Sequence, residues 1–265
     1  MRIDAAAGFV SRGRFAYPWL GPAEHMQRDF TSEQLQRILI RNRFDGCLAV
    51  PLARASQDLE WLLDLAVTES WIKGVLGISA SPGLWDSWQK RGPICGILLR
   101  PTEFASVAEA ARRGLACDLD VRTGDLHQVL RLAESHPEAR LAVTHMARPS
   151  FQAEDFRPWA EAMEMLGCRS RVCVKISRLI NEAGPGGWKA DWYRPWVRHL
   201  LNVFGAQRLM YGSDWPQCMQ TWTWKESLAA FTQAIGAQPM AARESLLGGT
   251  ATEFYGLSTT LTSLK

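Results

Sequence analysis

The stretch Leu209-Met210-Tyr211-Gly212-Ser213-Asp214-Trp215-Pro216 decides how the rest of the chain is read. Three apolar residues suited to a buried strand lead into Gly212, which permits close backbone approach, and Pro216 stops the strand. Seven earlier runs have the same short apolar character. They cover residues 2–5, 46–50, 75–79, 94–99, 116–121, 141–145 and 172–177, with 208–211 as the eighth. Several are near-continuous Val, Ile, Leu, Ala and Cys rather than alternating, as parallel strands covered on both faces require.

Helical spacing fills the gaps. Thr31-Ser32-Glu33-Gln34 has capping-box chemistry and is followed by Leu35, Ile38 and Leu39 on one face. Leu59, Leu62, Leu63 and Ala66 repeat the spacing, as do Leu126, Val129, Leu130 and Ala133. Trp159, Ala162, Met163 and Leu166 form a further set, and Leu228, Phe231 and Ile235 another. Strand–helix alternation eight times over predicts a (β/α)₈ TIM barrel of the α/β class. The 265 residues suit one such barrel, so 1–265 reads as a single domain.

Composition narrows the function. The chain is 47% hydrophobic and 22% charged, with a formal net charge of +3. That charge is too weak to argue for nucleic acid, and no basic cluster or nucleic-acid motif accompanies it. There is no apolar leader and no run of 18 apolar residues, so no secretion signal or membrane span is expected, and a cytoplasmic location follows by default. The six cysteines form no CxxC pair and read as buried free thiols. The expected partner is a small-molecule substrate. Assembly, a homodimer included, stays open.

Barrel enzymes place their chemistry at strand C-termini. Asp214 follows the eighth strand and is the candidate general base toward water. His145 ends the sixth strand and suits polarising a carbonyl, stabilising an oxyanion or ligating a metal. Arg148, Arg178 and Arg100 each follow a strand and suit bidentate binding of a substrate carboxylate. Trp215, with Trp222 and Trp224 behind it, and Trp19 are assigned to an apolar wall of the pocket. Trp188, Trp192 and Trp196 read as packing on an outer helix. Lys175 lies inside the seventh strand and reads as structural. The run Gly184-Pro185-Gly186-Gly187 is either a flap over the site or a plain surface loop.

Four of these segments resemble the amidohydrolase-related lactonases. MYGSDWP at 210–216 is similar to their strand-eight signature, and THMARP at 144–149 to their DHxGxP segment. VKISRL at 174–179 resembles their VKLSGL strand, and LGGTATEFYGL at 247–257 their closing GxNAxxFYGL helix. The resemblance implies a barrel hydrolase that opens lactones. Such proteins usually begin with a strand ending DAHxHxW, whose two histidines imply a divalent metal. Here Ala6 and Gly8 stand at those positions and offer no ligating side chain. No cofactor is therefore expected, and zinc is disfavoured. The expected reaction is metal-independent opening of a lactone or similar cyclic ester of a small anionic or sugar-like substrate, by water that Asp214 activates. An isomerase, decarboxylase or cyclase on the same barrel, or a degenerate binding protein, is the competing reading.

Overall fold

The computed structural model describes residues 1–181 and 187–258. Eight parallel strands follow one another in a single sheet: β1 (Ile3–Ala7), β2 (Gly46–Ala49), β3 (Ile72–Ile78), β4 (Ile94–Leu99), β5 (Ala116–Leu119), β6 (Leu141–Val143), β7 (Val172–Ile176) and β8 (Leu209–Tyr211). The end of β1 meets the segment after β8, where the Asp214 amide donates to Ala6 O at 2.9 Å and the Gly8 amide to Trp215 O at 2.7 Å. The sheet thereby comes round on itself as a nearly closed barrel. The expected (β/α)₈ architecture is what the chain adopts.

Ten α-helices are described: α1 (Ser32–Arg41), α2 (Ser56–Thr68), α3 (Pro82–Arg91), α4 (Val107–Arg112), α5 (Leu126–Ser135), α6 (Ala153–Gly167), α7 (Ala190–Phe204), α8 (Trp224–Ile235), α9 (Met240–Glu244) and α10 (Thr250–Tyr255). The capping box that opens α1 is present: the Gln34 amide donates to Thr31 Oγ1, and the Thr31 amide to Gln34 Oε1. Among the described residues no helix is long and apolar enough to cross a membrane.

Strand residues alternate between two cores, because successive side chains leave a strand on opposite faces. Cys47, Val75, Cys117, Leu141, Val172 and Leu209 pack outward against the helices. Their neighbours Leu48, Leu76, Ala116, Ala142, Cys173 and Met210 point into the barrel. Many interior residues are small because α10 plugs the barrel's N-terminal end. Phe254, Tyr255 and Leu257 belong to the interior cluster. A side chain at Gly74 would meet Leu257, Leu48 and Cys95.

Several details differ from the sequence reading: β1 runs on to Ala7, β3 begins at Ile72 rather than residue 75, and β5 ends at Leu119 rather than residue 121. Strand β6 ends at Val143 rather than His145, because residues 145–148 all have positive φ and cannot continue a strand. Of the six free cysteines, Cys168 is exposed and Cys95 half-buried, so the all-buried expectation fails for those two. Gly184, Pro185 and Gly186, most of the Gly-rich run, lie outside the described residues.

Candidate active site

The period-two alternation continues beyond the apolar interior and turns polar. Two residues on from Ala116, Ala142 and Cys173 stand Asp118, Thr144 and Lys175, and all three line a cavity of about 320 Å³. Lys175 and Asp118 are both almost wholly buried and pair at 2.5 Å. Lys175 Nζ also donates to Ala5 O at 2.6 Å, and the Tyr255 hydroxyl donates to Asp118 Oδ1 at 2.5 Å. A buried charge is costly unless it is paired and hydrogen-bonded, and here both charges are. Lys175 is therefore held in a buried pair and is also part of the cavity floor.

The rim carries the residues singled out by sequence. Asp214, His145, Arg148, Arg178, Arg100, Trp215 and Trp19 all line the cavity. Trp222 and Trp224 do not. Trp224 is core, donating from its indole to Asp4 Oδ2 at 2.8 Å, which corrects its assignment to the pocket wall. The reason lies in the capping box of Thr223 and Glu226, which begins α8 at Trp224 and turns that side chain inward. In α7, Trp196 packs in the core as expected whereas Trp192 is exposed.

The backbone sets Asp214. Buried Asp4 accepts the Ser213 amide at 2.8 Å, and the Asp214 amide binds Ala6 O. Asp214 itself has φ +60°, which turns the chain at the end of the strand. Among the described residues nine non-glycine positions have positive φ, and five of them line the cavity: Arg54, His145, Arg148, Arg178 and Asp214. Left-handed residues other than glycine are disfavoured by contact of Cβ with the backbone, and such strain clusters at functional sites. The turn at 145–148 is held from outside the barrel, where the Trp159 indole of α6 donates to Met146 O at 2.8 Å.

The polar groups then meet. Arg178 Nη1 lies 3.0 Å from Asp214 Oδ2 and 2.5 Å from Gln217 Oε1. His145 Nε2 is 4.0 Å from the other Asp214 oxygen, Oδ1, and its Nδ1 shares a 2.8 Å hydrogen bond with Ser177 Oγ. Arg148 pairs with Asp120 at 2.5 Å. Burial raises the Asp214 carboxyl to about 6, while Arg178 and Arg148 pull against that rise. Burial first, then Arg178, Arg148 and Lys175, hold His145 well below the usual histidine range, so it is neutral at neutral pH. The centre therefore combines a carboxylate that titrates near 6, a neutral imidazole beside it and two arginines.

Sequence reasoning missed Arg54, Asp118 and Asp120 on this cavity. Asp118 had a readable signal: a carboxylate between Cys117 and Leu119 in a buried run demands a partner. Arg54 sits in a loop with no pattern, and its inward aim comes from tertiary structure.

The site offers poor ligands for a metal. Among the described residues no group of three or more His, Cys, Asp or Glu is placed to hold one. A side chain at Gly8 would collide with Leu52, its Cβ falling 2.5 Å from Leu52 Cγ, so the space beside that position is already filled. His145 and Asp214 remain as a pair, and one Asp214 oxygen is engaged by Arg178. Catalytic zinc typically takes three protein ligands, and these residues do not fit it.

A cavity at strand C-termini, with a carboxylate at the end of the eighth strand, stands where barrel enzymes carry their active sites. Residues 32–257 match the amidohydrolase family, and the chain belongs to it. It is 30% identical to an L-fucono-1,5-lactonase from Burkholderia ambifaria over 81% of this chain and 80% of that one. It is 26% identical to an L-fucono-1,5-lactonase from Burkholderia multivorans over 97% of this chain and 96% of the relative. A crystal structure of an amidohydrolase from Burkholderia multivorans with bound zinc superposes with a TM-score of 0.87 at 26% identity, covering 97% of this chain and all of that one. The chain is an enzyme of this family, and the L-fucono-1,5-lactonase relatives support a hydrolase of the lactonase kind.

Proposed function

We propose that this protein opens a lactone by adding water to its carbonyl, without a metal, with Asp214 as the general base. The observation that carries the reading is the Asp214 carboxyl itself: it is buried at the cavity rim, raised to about 6 and flanked by Arg178 and His145. A base of that strength is ionised at neutral pH yet basic enough to accept a proton from attacking water.

The steps use only residues of the chain. Water bound against Asp214 adds to the lactone carbonyl carbon as its proton passes to the carboxylate. The carbonyl oxygen becomes an oxyanion, and the guanidinium groups of Arg148 and Arg178 stabilise the charge that develops there. Neutral His145 orients the carbonyl without competing for the proton. Collapse breaks the ring C–O bond, and the proton held by Asp214 passes to the departing alkoxide. The product is a hydroxy acid, and the carboxylate is restored. The L-fucono-1,5-lactonase relatives support the choice of a lactone.

The test is turnover of a panel of five- and six-membered lactones by chelator-treated protein, beside Asp214→Asn. Expected is hydrolysis of at least one lactone, unchanged by the chelator and nearly abolished in the variant. Turnover that vanishes with the chelator removes the metal-free reading, and no turnover of any lactone removes the reaction.

A further inference from the structure

The segment after β7 sends two successive residues to different partners. Ser177 stands two positions on from Lys175 and continues its side of the strand. Arg178 would point the other way, but its φ of +61° turns it into the cavity, where Nη1 meets Asp214 Oδ2 at 3.0 Å. Ser177 does not line the cavity. It is 3% exposed and lies against His145, with Oγ 2.8 Å from Nδ1. Gly212 lets the neighbouring backbone approach here, since a Cβ on it would fall 2.8 Å from Ala6 Cβ and 3.4 Å from Ser177 Cβ.

A neutral imidazole carries one N–H, and the nitrogen that holds it decides what the ring can do. Burial and the cations Arg178, Arg148 and Lys175 keep His145 neutral, so the choice of tautomer is the one that matters. Two independent contacts make the same choice. On one side is the buried Ser177 hydroxyl, whose hydrogen-bonding partner among the described residues is Nδ1. A buried donor needs an acceptor, and Nδ1 accepts only when it carries no hydrogen itself. On the other side, Nε2 is 4.0 Å from Asp214 Oδ1, the carboxylate oxygen that Arg178 does not engage. A lone pair on Nε2 would face that negative oxygen, whereas an N–H is attracted to it. The separation exceeds a hydrogen bond, so the carboxylate does not consume the N–H.

Resting on the lactone-opening reading, we propose that Ser177 is a positioning residue that donates to His145 Nδ1 and locks the ring as the Nε2–H tautomer, which makes His145 a hydrogen-bond donor to the lactone carbonyl oxygen. Nε2–H and Asp214 Oδ1 then present a donor and an acceptor side by side, one for the carbonyl oxygen and one for the attacking water. Without the Ser177 hydroxyl the ring gains the other tautomer, in which Nε2 accepts, and the developing oxyanion loses a donor.

The experiment reads the tautomer directly, from proton–nitrogen NMR correlations of the imidazole rings on protein carrying isotope-labelled histidine, with His145 assigned by its loss in His145→Gln. Expected for wild type at neutral pH is a protonated Nε2 and an unprotonated Nδ1. In Ser177→Ala the two nitrogen signals should move toward each other as the tautomers mix. On the best lactone, kcat should fall about tenfold while KM changes less than about threefold, because the donor matters most to the oxyanion. Ser177→Thr, which keeps the hydroxyl, should restore the tautomer and most of kcat, and its near-isostere Ser177→Val should not. Ser177→Ala removes a single heavy atom, so it keeps the test sound if the bulkier pair folds poorly beside Gly212. A wild-type ring protonated on Nδ1 overturns the assignment. So does a tautomer or a kcat that Ser177→Ala leaves unchanged, a loss that falls mainly on KM, or equal loss in the Thr and Val variants at unchanged unfolding midpoints. Should no lactone be hydrolysed, the tautomers of wild type and Ser177→Ala decide. A ring locked by Ser177 sustains the positioning role while the hydrolytic reading falls, and a ring that Ser177 does not lock removes both.

Discussion

The two walls of the barrel mouth are built from different materials. Around β1 and β2 the lining is Ala6, Ala7, Val50, Pro51 and Leu52, none of which has positive φ, with Arg54 beyond them as the one charged and left-handed residue. Around β6 to β8 it is His145, Arg148, Arg178 and Asp214, each ionisable and each left-handed. The wall where the resembling family carries a histidine pair is here small and apolar, with Leu52 packed over Gly8. The contrast teaches that four of the five left-handed residues lining this cavity stand on one side of it, with Arg54 as the exception, and the proposed water activation belongs to that side.

Four substitutions or conditions sharpen or break that contrast. Asp214→Asn removes the carboxylate beside His145 and should lower kcat/KM by about 10³-fold or more, read from initial rates on the best lactone. A loss of less than tenfold would mean that the polar wall is not the reacting one. Arg178→Met should cost about 10²-fold, since it withdraws a charge stabiliser from the same wall. It should also move the acid limb of the pH profile to higher pH, because Arg178 favours the ionised form of Asp214. On the apolar wall, Gly8→His should do no chemistry at all. It should destabilise by about 1–3 kcal/mol through overpacking against Leu52, seen as a lower unfolding midpoint, and should confer no metal-stimulated activity even when combined with Ala6→His.

The smallest effect is on pH. With Asp214 as the proposed base, the unprotonated carboxylate is the active form, and its carboxyl is raised to about 6. The profile of kcat/KM should therefore be flat above pH 7 and fall about tenfold per unit below pH 6. A profile flat down to pH 4.5 would remove Asp214 as the titrating base. His145 adds no limb of its own near neutrality, since burial and three neighbouring cations keep it neutral there.

How much of this was legible in advance depends on the range of the forces involved. The barrel was readable because its code is local: apolar runs, helical spacing and caps each act over a few residues, as the capping box at Thr31 does. The rim residues were readable as positions, because a strand end in a barrel points to one face whatever the chemistry. The pairings were not. Nothing near Arg178 in sequence announces Asp214, which is 36 residues away, and nothing near Lys175 announces Tyr255 or Ala5. Arg54 was invisible for the same reason, since its anchor Glu103 lies 49 residues on. The strand lengths erred at β6 because the left-handed turn that begins at His145 is held by Trp159, a contact that no strand propensity encodes.

The left-handed backbone at Arg178 and Asp214 also bears on how this site can be lost over generations. Every codon for arginine or aspartate is one base change from a glycine codon. Glycine is the residue that best tolerates φ near +60°, the value both positions hold. Dismantling either half of this pair therefore meets no barrier from the main chain. A barrel stripped of its chemistry lies a single inherited substitution away, with its folding intact, so persistence of both residues across descendants of this gene would record a demand for their side chains alone.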